Sequence, residues 1–265
     1  NDTLNGSGTC DDGLTWTLDN NGKLTISGSG EMADYYYDDN DIPTAPWAKY
    51  RSMIRSVEIG SGVTRIGAWA FEDTNITSLT IPGSVTAIGD YGVNSNRYLA
   101  ELTLQPGLKS IGKEAFSYSK RLTTVTIPDG VTTIGEEAFA HCWTQLPKSD
   151  SFTGLTTVTI PGSVTSIGKN AFTNNQQLTT VNFDGTQEQW NAIGGKDSGV
   201  PDTAKLNCAT AVASGKCGTG VKWSLASNGV LTITGTGKGI MKDYAEGSRK
   251  PWESKGDVKQ IIICE

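Results

Sequence analysis

The chain has 265 residues, of which 36% are hydrophobic and 19% are charged, with 32 glycines and 9 prolines. This composition indicates a globular, turn-rich protein. The net charge of −6 argues against a nucleic-acid partner, because the phosphate backbone attracts basic surfaces. No run of 18 apolar residues occurs, so we predict no membrane span.

The first predicted element is a small β module in residues 10–47. Within it, the segments that begin at Trp16 and Leu24 read as alternating strands. An Asn-Gly turn joins them, which is a strong hairpin signal. A related segment, 217–252, carries the same Trp-x-Leu and Leu-Thr-Ile patterns and also ends in Pro-Trp. The sequence therefore predicts one β module used twice.

Residues 31–41, EMADYYYDDND, form the most unusual loop of the first module. They carry three tyrosines and five acidic residues, with no basic residue. Aromatic rings beside carboxylates suit protein contacts or stacking on sugars, whereas the plain alternative is a solvated loop. The candidate binding residues in this loop are Tyr35, Tyr36, Tyr37, Asp38 and Asp39.

A unit of 23 residues recurs between residues 54 and 194. Two clear copies are LTTVTIPDGVTTIGEEAF (122–139) and LTTVTIPGSVTSIGKNAF (155–172). Ile-Gly pairs begin at 66, 88, 111, 134 and 167, with spacings of 22, 23, 23 and 33. Such self-similarity predicts a solenoid, because a single unit cannot bury its own apolar face. We therefore predict a mainly β, right-handed solenoid of short strands, with the small β modules at its N- and C-terminal ends.

Each unit reads as a strand, a turn, a second short segment and a final turn. In one clear copy the apolar Leu122, Val125 and Ile127 mark a half-buried strand that Pro128 ends. The stretch 136–139 predicts one 3₁₀ or helical turn. The last residue of each unit is predicted to join one buried column, made of Phe71, Val93, Phe116, Phe139 and Phe172.

The outward positions of the predicted strands form a ladder rich in hydroxyl groups. It is interpreted either as a plain β surface or as a polar platform for a protein or glycan, about 25 Å long if strands are ~4.8 Å apart. One column holds Ser56, Ser78, Glu101, Thr124, Thr157 and Thr180. The second column holds Glu58, Thr80, Thr103, Thr126, Thr159 and Asn182.

One unit is ten residues longer than the others, because of an insertion at 143–153. Insertions in repeats map to loops on one face of a solenoid. Its exposed aromatic candidates are Trp143 and Phe152, and we predict that they contribute to binding together with the strand ladder and the tyrosine loop.

The pattern L-T-x-V-T-I-P-x-x-V-T-x-I-G-x-x-A-F resembles the BspA-like leucine-rich repeat of surface and secreted bacterial proteins. Residues 185–193, GTQEQWNAI, resemble the closing segment that often follows such repeats. The module pattern resembles one that accompanies them in surface proteins of gut Firmicutes. The departures, Val93, Leu108 and Gln105-Pro106, concern packing. The resemblance implies an extracellular, cell-surface or secreted protein, and no signal peptide opens this sequence.

The predicted domains are residues 1–53, a β module that caps the solenoid; 54–207, the repeats with their closing segment; and 208–265, the second module. This last module repeats the entry into the first unit through Val258, Ile261 and Ile263. We therefore expect the chain to be a piece of a longer protein in which another coil follows.

Catalytic and metal-binding patterns are weak in this sequence. His141 is the single histidine, so any His-dependent nucleophile would rely on it, and a solvated or core role is the better interpretation. The pair Glu136-Glu137 reads as solvated. The segment that starts at Asp19 resembles a calcium loop but lacks the closing acidic residue. We predict no cofactor and no metal.

Five cysteines cannot all pair within the chain. Cys142 is predicted to be a buried thiol. Pairing of Cys208 with Cys217, pairing of Cys217 with Cys264, and free thiols throughout, including Cys10, all remain open.

Three functions are considered. The leading one is a non-catalytic binding protein that contacts a host protein, other bacteria or a glycan through a ligand that the sequence does not identify. The alternative is a structural spacer that displays other domains. A carbohydrate-active surface enzyme has the least support, because no set of acid and base residues converges.

Overall fold

The structure is a computed structural model that describes residues 6–11, 13–145, 152–226, 229–241, 250, 252–253, 255 and 258–264. Most of its regular structure is β, with one short α-helix, α1 (Gln187–Ala192), and 3₁₀ turns at Ala48–Met53 and Gly195–Asp197. The strands, in chain order, are β1 (Gly6–Asp11), β2 (Leu14–Leu18), β3 (Lys23–Gly28), β4 (Gly30–Glu31), β5 (Ser56–Ile59), β6 (Val63–Ile66), β7 (Ser78–Ile81), β8 (Ala87–Ile88), β9 (Glu101–Leu104), β10 (Ser110–Ile111), β11 (Thr124–Thr126), β12 (Thr133–Ile134), β13 (Trp143–Gln145), β14 (Phe152–Gly154), β15 (Thr157–Ile160), β16 (Ser166–Ile167), β17 (Thr180–Phe183), β18 (Lys205–Cys208), β19 (Ala211–Ala226), β20 (Val230–Met241) and β21 (Gln260–Cys264).

The isoleucines of the Ile-Gly pairs end the short strands of one parallel sheet, the back sheet, with strand order β16-β12-β10-β8-β6-β4. Each isoleucine pairs with the isoleucine of the next coil, as Ile111 does with Ile134 and Ile134 with Ile167. The last pairing spans the longer unit without a change in register, because the insertion lies between β12 and β16 and outside both. The predicted solenoid of short strands is confirmed, and its handedness stays a prediction.

The strands that carry the hydroxyl ladder form the opposite side of the coil, which we call the front face. They do not make one continuous sheet. Their hydrogen-bonded groups are β1-β2-β3-β5, β7-β9 and β11-β15-β17-β18. On the front face, β9 and β11 are therefore not paired with each other, although β10 and β12 of the same coils pair on the back.

The last turn of each unit is not helical, so the predicted 3₁₀ or helical turn at 136–139 is wrong. Glu137 has a left-handed backbone, with φ of 52°. The N–H groups of Glu137 and Phe139 donate to carbonyl oxygens of Lys169 and Ala171 in the next coil, at 3.2 and 2.8 Å. A helical turn would direct these donors into its own coil. Hydrogen bonding between coils thus outweighs the local helix preference.

This left-handed turn recurs in every unit. Two non-glycine residues with φ between 49° and 61° stand four positions apart in each of the five turns. They are Trp69 and Asp73, Tyr91 and Ser95, Glu114 and Tyr118, Glu137 and His141, and Asn170 and Asn174. We call the side of the coil that they occupy the turn face.

The predicted buried column is confirmed. All five of its side chains are fully buried. The ring of Phe139 stacks between those of Phe116 and Phe172, with centroids 5.2 and 5.8 Å away and planes within 8° of parallel. At the N-terminal end, Trp47 continues the column by stacking on Phe71 at 5.7 Å.

A second buried column lies three residues after the first and consists of small polar side chains. Asn175 donates its amide N–H groups to the carbonyl oxygens of Phe139 and Phe172, at 2.8 and 2.9 Å. Asn96 donates in the same way to the carbonyl oxygens of Phe71 and Val93, three coils earlier. These side chains link successive coils, because each bridges the main chain of two neighbouring turns. The column comprises Thr74, Asn96, Ser119, Cys142 and Asn175, all buried.

The first module shares one core with the repeats. Trp16 and Trp47 belong to the same apolar cluster as Ile193 at the far end of the solenoid. Strand β3 pairs in parallel with β5, which places Ile26 beside Ile59. The module therefore continues the coil stack directly.

The second module has an apolar cluster of its own around Trp223, Leu231 and Trp252. Strand β21 pairs with β20 as β5 pairs with β3. Ile263 of β21 is 70% exposed, whereas its counterpart Ile59 is 8% exposed. The difference arises because β7 packs beside β5 in the first copy.

Candidate binding surface

An open groove of about 690 Å³ crosses the front face where β9 and β11 part. Thr103, Thr126 and Thr159 line it, from three successive coils. These residues occupy one predicted hydroxyl column, and Thr126 pairs directly with Thr159. Stacking of the coils thus brings together side chains that are 23 and 33 positions apart in the sequence.

The groove also contains residues that the sequence reasoning did not select. Pro106, Pro128 and Pro161 follow the three strands, and Asp129 and Asp184 belong to the same lining. The recurring proline after each strand was visible in the repeat pattern. Its place in a groove was not, because that depends on how neighbouring coils stack.

The remaining front-face candidates lie along the strands outside the groove. Ser78 pairs with Glu101, and Thr124 pairs with Thr157, which in turn pairs with Thr180. Ser78, Glu101 and Thr124 are exposed, whereas Thr157 and Thr180 are partly buried. The predicted columns therefore exist, but only the second one contributes to the groove.

The tyrosine loop is not the exposed cluster that the sequence suggested. Tyr35 is only 8% exposed, its hydroxyl donates to the carbonyl oxygen of Cys10 at 3.0 Å, and its ring packs on Trp47 at 5.6 Å. It is a core residue, so its assignment to a binding surface is wrong. The neighbouring Tyr36 is 62% exposed and stays a candidate.

The third tyrosine of the loop is half-buried. Its hydroxyl donates to the carboxylate of Glu72 and accepts from Arg51 at 3.3 Å. The pKa of Tyr37 is raised, mainly by burial and next by the hydrogen bond to the Glu72 carboxylate. Burial also raises the pKa of Glu72. Tyr37 therefore anchors the loop on the turn face.

The two aspartates of the loop differ in role. Asp38 accepts backbone N–H groups of Asn40 and Ile42, both at 2.9 Å, which is how an Asx residue closes a turn. Asp39 is exposed. Neither the aspartates nor the tyrosines of this loop line the groove.

The insertion forms an antiparallel hairpin of β13 and β14, in which Trp143 pairs with Gly154. The rings of Trp143 and Phe152 lie 5.9 Å apart. Phe152 is 44% exposed and Trp143 is partly buried. The centre of the insertion, 146–151, lies outside the described residues. Neither aromatic residue lines the groove.

The turn face carries stacked rings that the sequence reasoning missed. Trp69 and Tyr91 stack in parallel at 4.0 Å, and Tyr118 stacks on His141 at 4.5 Å. Each stacking partner covers one face of the other ring, and Tyr118 stays 38% exposed. Their common left-handed position in successive turns explains why they meet.

The residues suited to nucleophilic chemistry are placed unfavourably for it. Cys142 is fully buried, as predicted, and its Sγ donates to the carbonyl oxygen of Phe116 at 3.3 Å. Burial raises the pKa of this thiol to about 12. His141 lies against Tyr118, with Nε2 3.4 Å from the Asn174 amide nitrogen. Glu136 is exposed, and it forms an ion pair with Lys113.

Four cysteines carry free thiols in this structure: Cys10, Cys142, Cys208 and Cys217. The two pairings that the sequence left open, Cys208 with Cys217 and Cys217 with Cys264, are therefore both wrong, because Cys217 carries a free thiol. The side chain of Cys264 lies outside the described residues. Among the residues that the structure describes, no three His, Cys, Asp or Glu side chains gather to hold a metal ion, and no helix among them has the length and apolarity to cross a membrane.

Coils stacked through parallel strands, with a buried aromatic column and leucine- or isoleucine-rich strands, define a leucine-rich repeat protein. The chain matches the family described as BspA type leucine rich repeat region, in six copies over residues 48–145 and 149–194. This chain therefore belongs to the BspA-type leucine-rich repeat family.

Solved structures similar to this chain are bacterial leucine-rich repeat proteins. One from Eubacterium ventriosum shares 27% identity over 68% of this chain and 44% of that chain, with a TM-score of 0.55. A leucine rich cell surface protein from Faecalibacterium prausnitzii shares 25% identity over 86% of this chain and 60% of that chain, with a TM-score of 0.39. One from Bacteroides ovatus shares 21% identity over 60% and 49%, with a TM-score of 0.37. This chain thus spans less than two thirds of each. No curated protein matches it.

Proposed function

We propose that this chain is a non-catalytic binding protein that contacts a protein or glycan through its front face, at the groove lined by Thr103, Thr126 and Thr159. The observation that carries the proposal is that three outward hydroxyls from successive coils line one groove. Binding residues are often presented by a rigid scaffold, and the columns between the coils make this scaffold rigid. A cell-surface or secreted location is part of the proposal and rests on family membership.

Two observations support a binding role over a catalytic one. The fully buried thiol of Cys142, with its raised pKa, stays protonated near neutral pH. The single histidine stacks on a tyrosine and does not line the groove. Acid–base or nucleophilic catalysis needs groups that reach a common substrate atom.

Host-protein and glycan arrays would identify a ligand, and a triple variant would map it. Replacing Thr103, Thr126 and Thr159 by valine removes three hydroxyls, while valine keeps the shape and strand preference. We expect this variant to bind the array hit about tenfold more weakly, or worse. The matched control replaces Ser110, Thr133 and Ser166 on the back sheet by valine, and its affinity should stay at that of the unmodified chain.

If both triple variants keep the affinity of the unmodified chain, the hydroxyls of the groove do not bind the ligand. A chain that binds nothing on either array would favour the alternative function, a spacer that displays other domains. If an array ligand binds and the threonine variant keeps its affinity, the next residues to replace by alanine are the exposed Tyr36 and Phe152 and the partly buried Trp143, because aromatic residues dominate interface energies.

A further inference from the structure

A second, smaller pocket of about 360 Å³ lies where the second module meets α1. Its volume falls within the range of small-molecule sites. Glu188 of α1 lines one side, and residues of β19 and β20 line the rest. We call it the module pocket. It shares no described lining residue with the front-face groove, so the two sites can be tested separately.

Two exposed lysines of β19, Lys216 and Lys222, line the module pocket. Their counterparts in the first module are Thr9 and Thr15, which pair directly between β1 and β2. The fold of the module therefore does not require lysine at these positions. Neither lysine forms an ion pair with another described residue. Two like charges in one pocket repel each other, and a bound anion would offset that repulsion.

The indole of Trp223 supplies a donor that the fold leaves unused. The side chain is only 4% exposed, and its Nε1 is buried with no hydrogen-bond acceptor among the described residues. Gly215 lies against this nitrogen, since a Cβ at that position would stand 2.8 Å from it. Both residues line the module pocket. Buried donors in native proteins are nearly always paired, so the unpaired indole N–H indicates that an acceptor belongs beside it.

The remaining lining is polar and small. Ser214 and Thr234 contribute hydroxyl groups, which both donate and accept, and Glu188 contributes a carboxylate, which accepts when ionised. Apolar side chains are limited to Ala211 and the indole. A peptide ligand would gain little from such a lining, because peptide interfaces depend on pockets for apolar anchors. A ligand that carries several hydroxyls and one negative charge matches every one of these groups.

We propose that the module pocket binds the carboxylate-bearing ring of an acidic sugar. Lys216 and Lys222 attract the carboxylate through charge-assisted hydrogen bonds. Glu188 accepts from ring hydroxyls, and the indole N–H of Trp223 donates to a ligand oxygen. A neutral sugar leaves the two lysines unmatched, and a simple carboxylate leaves the hydroxyl partners unmatched. This site does not rest on the use proposed for the front-face groove.

The test titrates the full chain, labelled with ¹⁵N, with glucuronate, galacturonate and N-acetylneuraminate, and follows the indole N–H signals by NMR. The signal of Trp223 is assigned by its loss in Trp223→Phe. We expect at least one of these acidic sugars to shift this signal saturably. Glucose and acetate should each bind at least about tenfold more weakly than that sugar.

Replacing Lys216 and Lys222 together by threonine restores the residues of the first module, so the variant should keep the melting temperature of the unmodified chain. We expect its affinity for the acidic sugar to fall at least about tenfold. The matched control replaces Lys169 and Lys196 by threonine, which removes the same charge from exposed positions outside the pocket. Its affinity should stay at that of the unmodified chain.

Several results would overturn the acidic sugar as ligand. They are no saturation by any of the three sugars up to about 10 mM, glucose or acetate binding as tightly as the best acidic sugar, and equal affinity in the two double variants. An acidic peptide that binds more tightly than every sugar, and that loses affinity when Lys216 and Lys222 are replaced, would assign the pocket to a protein partner instead. None of these results bears on the threonines of the front-face groove.

Discussion

Replacement of Phe139 by alanine tests the stacked column in the middle of the solenoid. The ring is fully buried and lies between two parallel rings at 5.2 and 5.8 Å. Its backbone cannot move to fill the space, because its N–H donates to Ala171 and its carbonyl oxygen accepts from Asn175, both at 2.8 Å. The cavity therefore persists in the variant.

Loss of a large buried aromatic typically lowers the free energy of unfolding by about 3–5 kcal/mol. The pinned backbone and the two lost ring contacts, each about 0.5–1.5 kcal/mol, place Phe139→Ala in the upper part of that range. At about 2–4 °C per kcal/mol for a domain of this size, the melting temperature should fall by about 8–20 °C. Urea unfolding followed by circular dichroism measures the free energy, and a thermal scan measures the midpoint.

Glu136→Ala is the matched control in the same turn. Its carboxylate is exposed and pairs with Lys113 at 3.4 Å, and an exposed ion pair contributes at most about 1 kcal/mol. If Phe139→Ala and Glu136→Ala destabilise the chain equally, the column is not a principal source of stability and the reasoning fails.

Three further predictions follow from the coil stack. Removal of residues 1–53 takes β3 away from β5 and uncovers an apolar strand edge, so the remaining chain should aggregate. A 54–207 fragment that is monomeric in size-exclusion chromatography and melts cooperatively would refute the capping role. Replacing Asn175 by alanine leaves two buried carbonyl groups and one buried N–H without this partner, so the free energy of unfolding in urea should fall by about 2–4 kcal/mol. A fall below about 0.5 kcal/mol would contradict the linking role. With iodoacetamide at pH 8, Cys208 should be alkylated well before Cys142, because burial raises the pKa of Cys142 to about 12 and keeps it protonated; equal rates in peptide mass spectrometry of the folded protein would show that Cys142 is accessible.

The sequence by itself was enough to predict the stack of coils. The Ile-Gly pairs, and the residues of the column that contains Phe139, recur once in each coil. Parallel pairing of the strands holds equivalent residues of neighbouring coils side by side. The outward threonines follow from strand alternation in the same way. These features repeat, so each copy supports the assignment of the others.

Local sequence could not predict the turn face. The Glu-Glu-Ala-Phe stretch at 136–139 favours a helix by propensity, yet the N–H groups of Glu137 and Phe139 bond to the next coil and Glu137 is left-handed. Adjacent tyrosines in the first module also have opposite fates. Tyr35 is buried in the core, whereas Tyr36 faces solvent. Both are tyrosines in the same loop, so residue type alone could not distinguish them.

The groove is decided by tertiary structure alone. Its hydroxyls and prolines come from three coils, and its opening lies where β9 and β11 part while β10 and β12 stay paired. Asp129 and Asp184 stand 55 positions apart and meet the same groove only because the coils stack. Sequence periodicity determines which residues share a column, whereas the spacing between individual strands determines where a column opens into a groove that can accept a ligand.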